Sequence, residues 1–130
     1  MKMNTKLVMT LSAAVLGLAG ITLTFLPVEI LTGLAISPSK PQEYLLQIIG
    51  ALYFGFAMLN WMTKSSLIGG IYNRPVAVAN FTHFVIVALA LVKGVLSNPN
   101  LPVSILTAAI IYSIFAVLFG IILFRHPLPG

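Results

Sequence analysis

The chain has 130 residues, of which 59% are hydrophobic and 7% charged, with a mean hydropathy of +1.07 and a formal net charge of +5. Soluble domains carry roughly a quarter charged residues, because their surfaces must be hydrated; this chain cannot cover a water-facing surface and needs lipid as its main solvent. Cysteine is absent, which excludes disulfides, thiol catalysis and cysteine-ligated metal centres.

The first apolar stretch is predicted to run from about residue 7 to 25, before Pro27. Lys2 and Lys6 precede it, as in a signal peptide, but an apolar signal core is usually about 7–15 residues. A retained spanning helix is therefore expected. The connection from Pro27 to Pro41 mixes Val28, Ile30, Leu31, Leu34 and Ile36 with Glu29, Thr32 and Lys40. That mixture predicts a short amphipathic turn or helix at the interface.

The second span is placed at about 43–62, with Tyr44 and Trp61 suited to the aromatic belts at the two interfaces. Glu43 stands at its start, where a carboxylate meets the positive end of the helix dipole. A polar link follows from Thr63 to Pro75; its Gly69-Gly70 pair lacks the spacing and the Lys-Ser/Thr of a phosphate loop. The third span is placed at about 75–95, with Lys93 snorkelling at its end. After a turn through Ser97, Asn98, Pro99, Asn100 and Pro102 comes the fourth, at about 103–124, closed by Arg125 and His126. Four spans use up most of residues 1–130, so a single membrane domain is expected.

The basic residues sit singly at the edges of apolar stretches and form no cluster of the kind nucleic acid needs. Lys2, Lys6, Lys64, Arg74 and Arg125 fall on one side, Lys40 and Lys93 on the other with Glu29 and Glu43. This bias predicts that both termini are cytoplasmic, N-in and C-in. With short connections, the expected fold is an all-α integral membrane protein, an antiparallel bundle of four transmembrane helices. Small residues predict where helices meet: Ala13, Gly17 and Gly20 in the first span, flanked by Thr10 and Thr24; Ala79, His83 and Val87 with Asn80 and Ala90 in the third; Ser113, Ala116 and Gly120 in the fourth.

Each polar group inside hydrocarbon asks for a partner. Besides Thr82, Thr107, Tyr112 and Ser113, the spans hold Tyr53 and Asn60 on one face of the second helix, and Asn80 and His83 on one face of the third. From the rise per residue, Tyr53 and His83 come to similar depth and Asn60 lies somewhat nearer the surface than Asn80, which predicts a polar patch of these four between the second and third helices. Such a patch serves as interhelical glue, as the wall of a ligand pocket, or as a proton site, His83 being the near-central group that titrates near neutrality.

Other chemistries lack their parts. His83 and His126 are far apart in the chain, and the carboxylates are assigned to the opposite side, so no metal site is expected in one protomer. No Ser–His–acid set can be assembled at one depth. Proton-driven export by a compact four-helix dimer would call for a buried carboxylate, which no span carries in its middle. No cofactor is expected.

The run Gly50-Ala-Leu-Tyr-Phe-Gly-Phe-Ala-Met-Leu-Asn-Trp61, then Ile68-Gly-Gly-Ile-Tyr-Asn-Arg-Pro75 and Asn80-Phe-Thr-His83, resembles small uncharacterised bacterial four-helix membrane proteins, broadly the DoxX-like superfamily. The resemblance covers roughly the whole chain in hydropathy and residues 50–83 in motif. It implies a multi-pass protein of the bacterial inner membrane. It supplies no reaction, since no catalytic motif of that superfamily can be carried here residue by residue.

Three functions follow as expectations. The first is a structural or partner-binding bundle that assembles with itself or with another membrane protein. The second is a binder or carrier of a small hydrophobic molecule, a lipid or quinone, at Tyr53, Asn60, Asn80 and His83. The third, an accessory subunit of a membrane redox enzyme, has the least support from the residues present; an enzyme in its own right is not expected.

Overall fold

The computed structural model describes residues 3–125, so Lys2 and His126 lie outside the described residues. It contains five helices: α1 (Thr5–Phe25), α2 (Pro27–Gly33), α3 (Lys40–Thr63), α4 (Arg74–Ser97) and α5 (Val103–Phe124). Among the described residues there is no strand. Four helices, α1, α3, α4 and α5, are long and apolar enough to cross a membrane. This is a multi-pass membrane protein.

Three of the four spans are slightly longer than the hydropathy alone indicated, because their first turns recruit residues that look like loop, while the fourth keeps its expected bounds. Asn4 caps α1 by accepting the Leu7 N–H at 3.0 Å. Pro41 and Pro75 sit in the first turns of α3 and α4, where a missing N–H costs nothing, so those helices start at Lys40 and Arg74. Glu43 lies in the first turn of α3, as expected, and also pairs with Lys40 at 3.0 Å.

The interfacial connection holds a real helix. Leu26, ahead of a proline, leaves the helical region and ends α1, and Pro27 opens α2. At the other end Ile36 N–H donates to Leu31 O at 2.9 Å and Ala35 N–H to Thr32 O at 3.0 Å. These are the two bonds of a Schellman ending, with Ala35 at φ 60° in the position that glycine usually takes.

Two compact units divide the chain between residues 65 and 66. In the first, α1 packs along α3. Gly17 faces Ala57, Gly20 faces Gly50 and Thr24 meets Gln47, so the partner number falls as the α1 number rises: the pair is antiparallel. At its tightest point a Cβ on Gly20 would stand 2.8 Å from both Gly50 O and Phe54 N, and one on Gly50 would stand 2.8 Å from Gly20 O. Backbone itself fills the space, so neither position has room to give. The predicted stripe of Ala13, Gly17 and Gly20 is the face that α3 covers, with Ala13 and Gly20 buried.

In the second unit α4 packs along α5, again antiparallel, with Phe81 beside Phe124 and Gly120 and Phe84 beside Tyr112, Phe115 and Phe119. The buried residues of α4 are Ala77, Asn80, Phe84 and Ala88; of the predicted face Asn80 is buried, Ala79, His83 and Val87 are half-buried and Ala90 is exposed. Aromatic packing decides this: Phe84 is fully buried and stacks on Phe119 at 5.4 Å with the rings 6° apart. On α5 the predicted Ala116 is buried and Gly120 receives the Phe81 ring, while Tyr112, Phe115 and Phe119 provide most of the bulk.

The segment before α4 folds over the end of α5. Gly69 and Tyr72 exchange backbone hydrogen bonds at 3.1 and 2.9 Å across a two-residue turn, with Gly70 at φ 54° in its first central position. Gly70 N–H donates to Leu123 O at 3.2 Å, satisfying one of the carbonyls that a helix leaves open at its C-terminus. Ile68 is buried, and Gly69, at φ 122°, lies so close to Ile122 O that no Cβ fits.

Replacing Gly20 or Gly50 with alanine is expected to destabilise the first helix pair by about 1–3 kcal/mol, the usual cost of overpacking. Gly55→Ala, where nothing lies within 4 Å of the added carbon, serves as the control in reversible unfolding from mixed micelles. Equal stability of all three variants would contradict the tight crossing.

Candidate functional site

Tyr53 and Asn60 belong to the first unit, Asn80 and His83 to the second. Asn60 is fully buried, and its amide donates to Ser12 Oγ at 3.0 Å. Ser12, also fully buried, passes its own proton on to Met9 O at 2.9 Å. A chain of two hydrogen bonds thus runs from α3 into the backbone of α1. Tyr53 is half-buried on the same helix, about two turns earlier.

Within the first unit, the hydrogen-bond partner of Asn60 is Ser12 on the first span. Ser12 had not been singled out, since one serine in a long apolar run has no periodic signal. The antiparallel register would have found it. Once Gly20 stands opposite Gly50 and Gly17 opposite Ala57, the residue facing Asn60 falls near position 12.

In the second unit Asn80 is fully buried, and its amide donates to Val76 O at 2.9 Å, one turn back in its own helix. His83 is half-buried and meets Phe84 and Tyr112 edge to face, with ring centroids 5.1 and 5.4 Å away. Phe84, Phe115 and Phe119 extend this into an aromatic cluster along the helix pair. His83 therefore sits at the edge of an apolar, aromatic core.

The hydroxyls of the spans are absorbed in the same way. Thr10, Thr24, Thr107 and Ser113 donate to the carbonyl four residues back, at 2.7–3.0 Å. This is how a helix carries a hydroxyl through hydrocarbon without a neighbour. At the end of α3, Lys64 places its ammonium 3.0 Å from the centre of the Trp61 ring, a cation–π contact suited to an interface. Among the described residues no three His, Asp or Glu side chains come together in a metal-binding group.

Sequence reasoning also missed a groove beside the glycine crossing. It encloses about 500 Å³ and is lined by Gly20, Ile21, Thr24, Phe25, Ala51 and Phe54. Its origin is local. Gly20 and Ala51 supply almost no side chain, whereas Ile21, Phe25 and Phe54 stand up around them. The walls are apolar apart from Thr24, whose hydroxyl donates to Gly20 O at 2.8 Å.

No family model, curated protein or solved structure matches the chain. The functional reading therefore rests on the residues themselves.

A double-mutant cycle on Ser12→Ala and Asn60→Leu is expected to give a coupling of about 0.6 kcal/mol, the average for hydrogen bonds between membrane helices, and at most about 1.7 kcal/mol. Strictly additive losses would mean that the two side chains do not support each other.

Proposed function

We propose that this chain is a non-enzymatic membrane protein, a structural or partner-binding scaffold that assembles with copies of itself or with another membrane protein. One observation carries the reading: the fully buried Asn60 of α3 donates to Ser12 of α1, a hydrogen bond that ties two spans together. Ser12, Asn60 and Asn80, the fully buried polar residues among those described, donate within their own hairpins. Meanwhile α3 presents Leu45, Ile48, Leu52, Met58 and Met62 as exposed apolar surface, fit for lipid or for a neighbouring span.

The groove at Gly20, Thr24, Ala51 and Phe54 supports a second reading, a binder of a small hydrophobic molecule such as a lipid or quinone. Its volume falls within the roughly 300–1,000 Å³ of small-molecule sites. The groove is one candidate site for this reading, and Tyr53, Asn60, Asn80 and His83 are the other.

The charge bias supports N-in and C-in topology, and the runs at residues 50–61, 68–75 and 80–83 support kinship with the DoxX-like membrane proteins of bacterial inner membranes. The cysteine-free chain makes topology simple to read. Ser66→Cys is expected to react with a membrane-impermeant maleimide only from the cytoplasmic side, and Ser97→Cys only from the opposite side. The reverse pattern would invert the assignment.

Native mass spectrometry of the protein released from lipid nanodiscs discriminates the two functional readings. A defined oligomer carrying only bulk lipid is expected for the scaffold. One reproducible non-bulk ligand, lost on Ala51→Phe, would establish the binder instead.

A further inference from the structure

The turn that closes the second unit leaves a surface whose chemistry is incomplete. Ile71, at its tip, is 76% exposed, and Leu67 and Tyr72 beside it are exposed as well. The turn lies at the ends of two helices apolar enough to span, so it stands at the boundary between hydrocarbon and headgroups.

Two arginines lie by this turn, Arg74 through its side chain and Arg125 through its backbone carbonyl. Arg74 donates from Nη1 to Gly70 O at 3.2 Å, which holds its guanidinium at the rim and leaves the rest of its donor fork available. The Arg125 carbonyl lies against Gly69, where an added Cβ would stand 3.0 Å from it, and Gly70 N–H is bonded to Leu123 O. Both arginines are exposed. From residue 66 onward the sequence contains no aspartate or glutamate, so no acidic side chain of the unit neutralises either one.

We propose that this end of the second unit is a docking surface for anionic phospholipid headgroups. Arg74 and Arg125 take the lipid phosphate, and Ile71, Leu67 and Tyr72 sink between the glycerol region and the upper acyl chains. The occupant follows from complementarity. An acid-free cation pair flanking an apolar tip matches a molecule that is anionic at the surface and apolar just beneath it. A guanidinium suits phosphate oxygens through its planar fork.

The test is lipid retention by the full-length protein in nanodiscs containing phosphatidylglycerol and phosphatidylcholine in equal amounts, read by native mass spectrometry. Phosphatidylglycerol is expected to be enriched, and the enrichment to fall about fivefold for each of Arg74→Gln and Arg125→Gln. Arg74→Lys should keep most of it. Lys93→Gln, at the other end of the helix pair, should change nothing. Melting temperatures in pure phosphatidylcholine discs show whether each variant is folded, and Ile71→Ser probes the apolar tip without touching charge. Equal retention of the two lipids, or enrichment unaltered in the folded double arginine variant, overturns the proposal. Enrichment lost equally on Lys93→Gln would also overturn it, because net charge alone would then explain the preference.

Discussion

Hydrocarbon offers no hydrogen bonds, and the interior of this protein is organised by that lack. Every polar group carried into a span must find its partner within protein, because an unsatisfied one costs several kcal/mol there. The chain meets the demand in two ways. Threonine and serine hydroxyls turn back on their own helices, which costs no partner. Ser12 and Asn60 bond across a helix pair, which is possible only where backbones come close. The glycine crossing at Gly20 and Gly50 sets that approach, so the buried hydrogen bond and the close packing sustain each other.

The two helix pairs reach close packing by opposite means. In the first, side chains are removed at the contact, and the approach of bare backbone provides dispersion attraction along with weak Cα–H contacts. In the second, large rings fill the space, with Phe84 and Phe119 stacked and Tyr112 and His83 meeting edge to face. Without a hydrophobic drive between helices in lipid, both are ways of gaining contact that lipid tails cannot match. The difference also explains why the apolar groove appears where it does. Small residues that admit a backbone at one turn leave a hollow at the next, where Ala51 has only a methyl group to offer.

The sequence made the spans legible because their signal is cumulative: some 20 apolar residues cannot be mistaken for a soluble helix. It also located the contact stripe of α1, since an alanine and two glycines, spaced four and then three residues apart, carry a clear meaning in lipid. It was less able to orient α4. Asn80 and His83 stood out as polar, yet the face of that helix is set by Phe84, which looks like any other apolar residue in an apolar run. Ser12 was invisible for a related reason. A hydroxyl is common in membrane helices, and only the register of the antiparallel pair distinguishes the one that meets Asn60. Helix existence is written in composition, whereas helix rotation is written in pairings between distant residues.

The turn at Gly69 and Gly70 bears on the order in which the molecule is made. All the contacts that close the first helix pair lie before residue 66, so that pair is complete while later residues are still being synthesised. The second pair cannot close in the same sequential way. Its first turn rests on Ile122, Leu123 and Arg125, at the C-terminal end of α5. A nascent chain halted within α5 would therefore carry one finished hairpin and one open one. The latch that completes the second hairpin joins the segment made first in that unit to the segment made last.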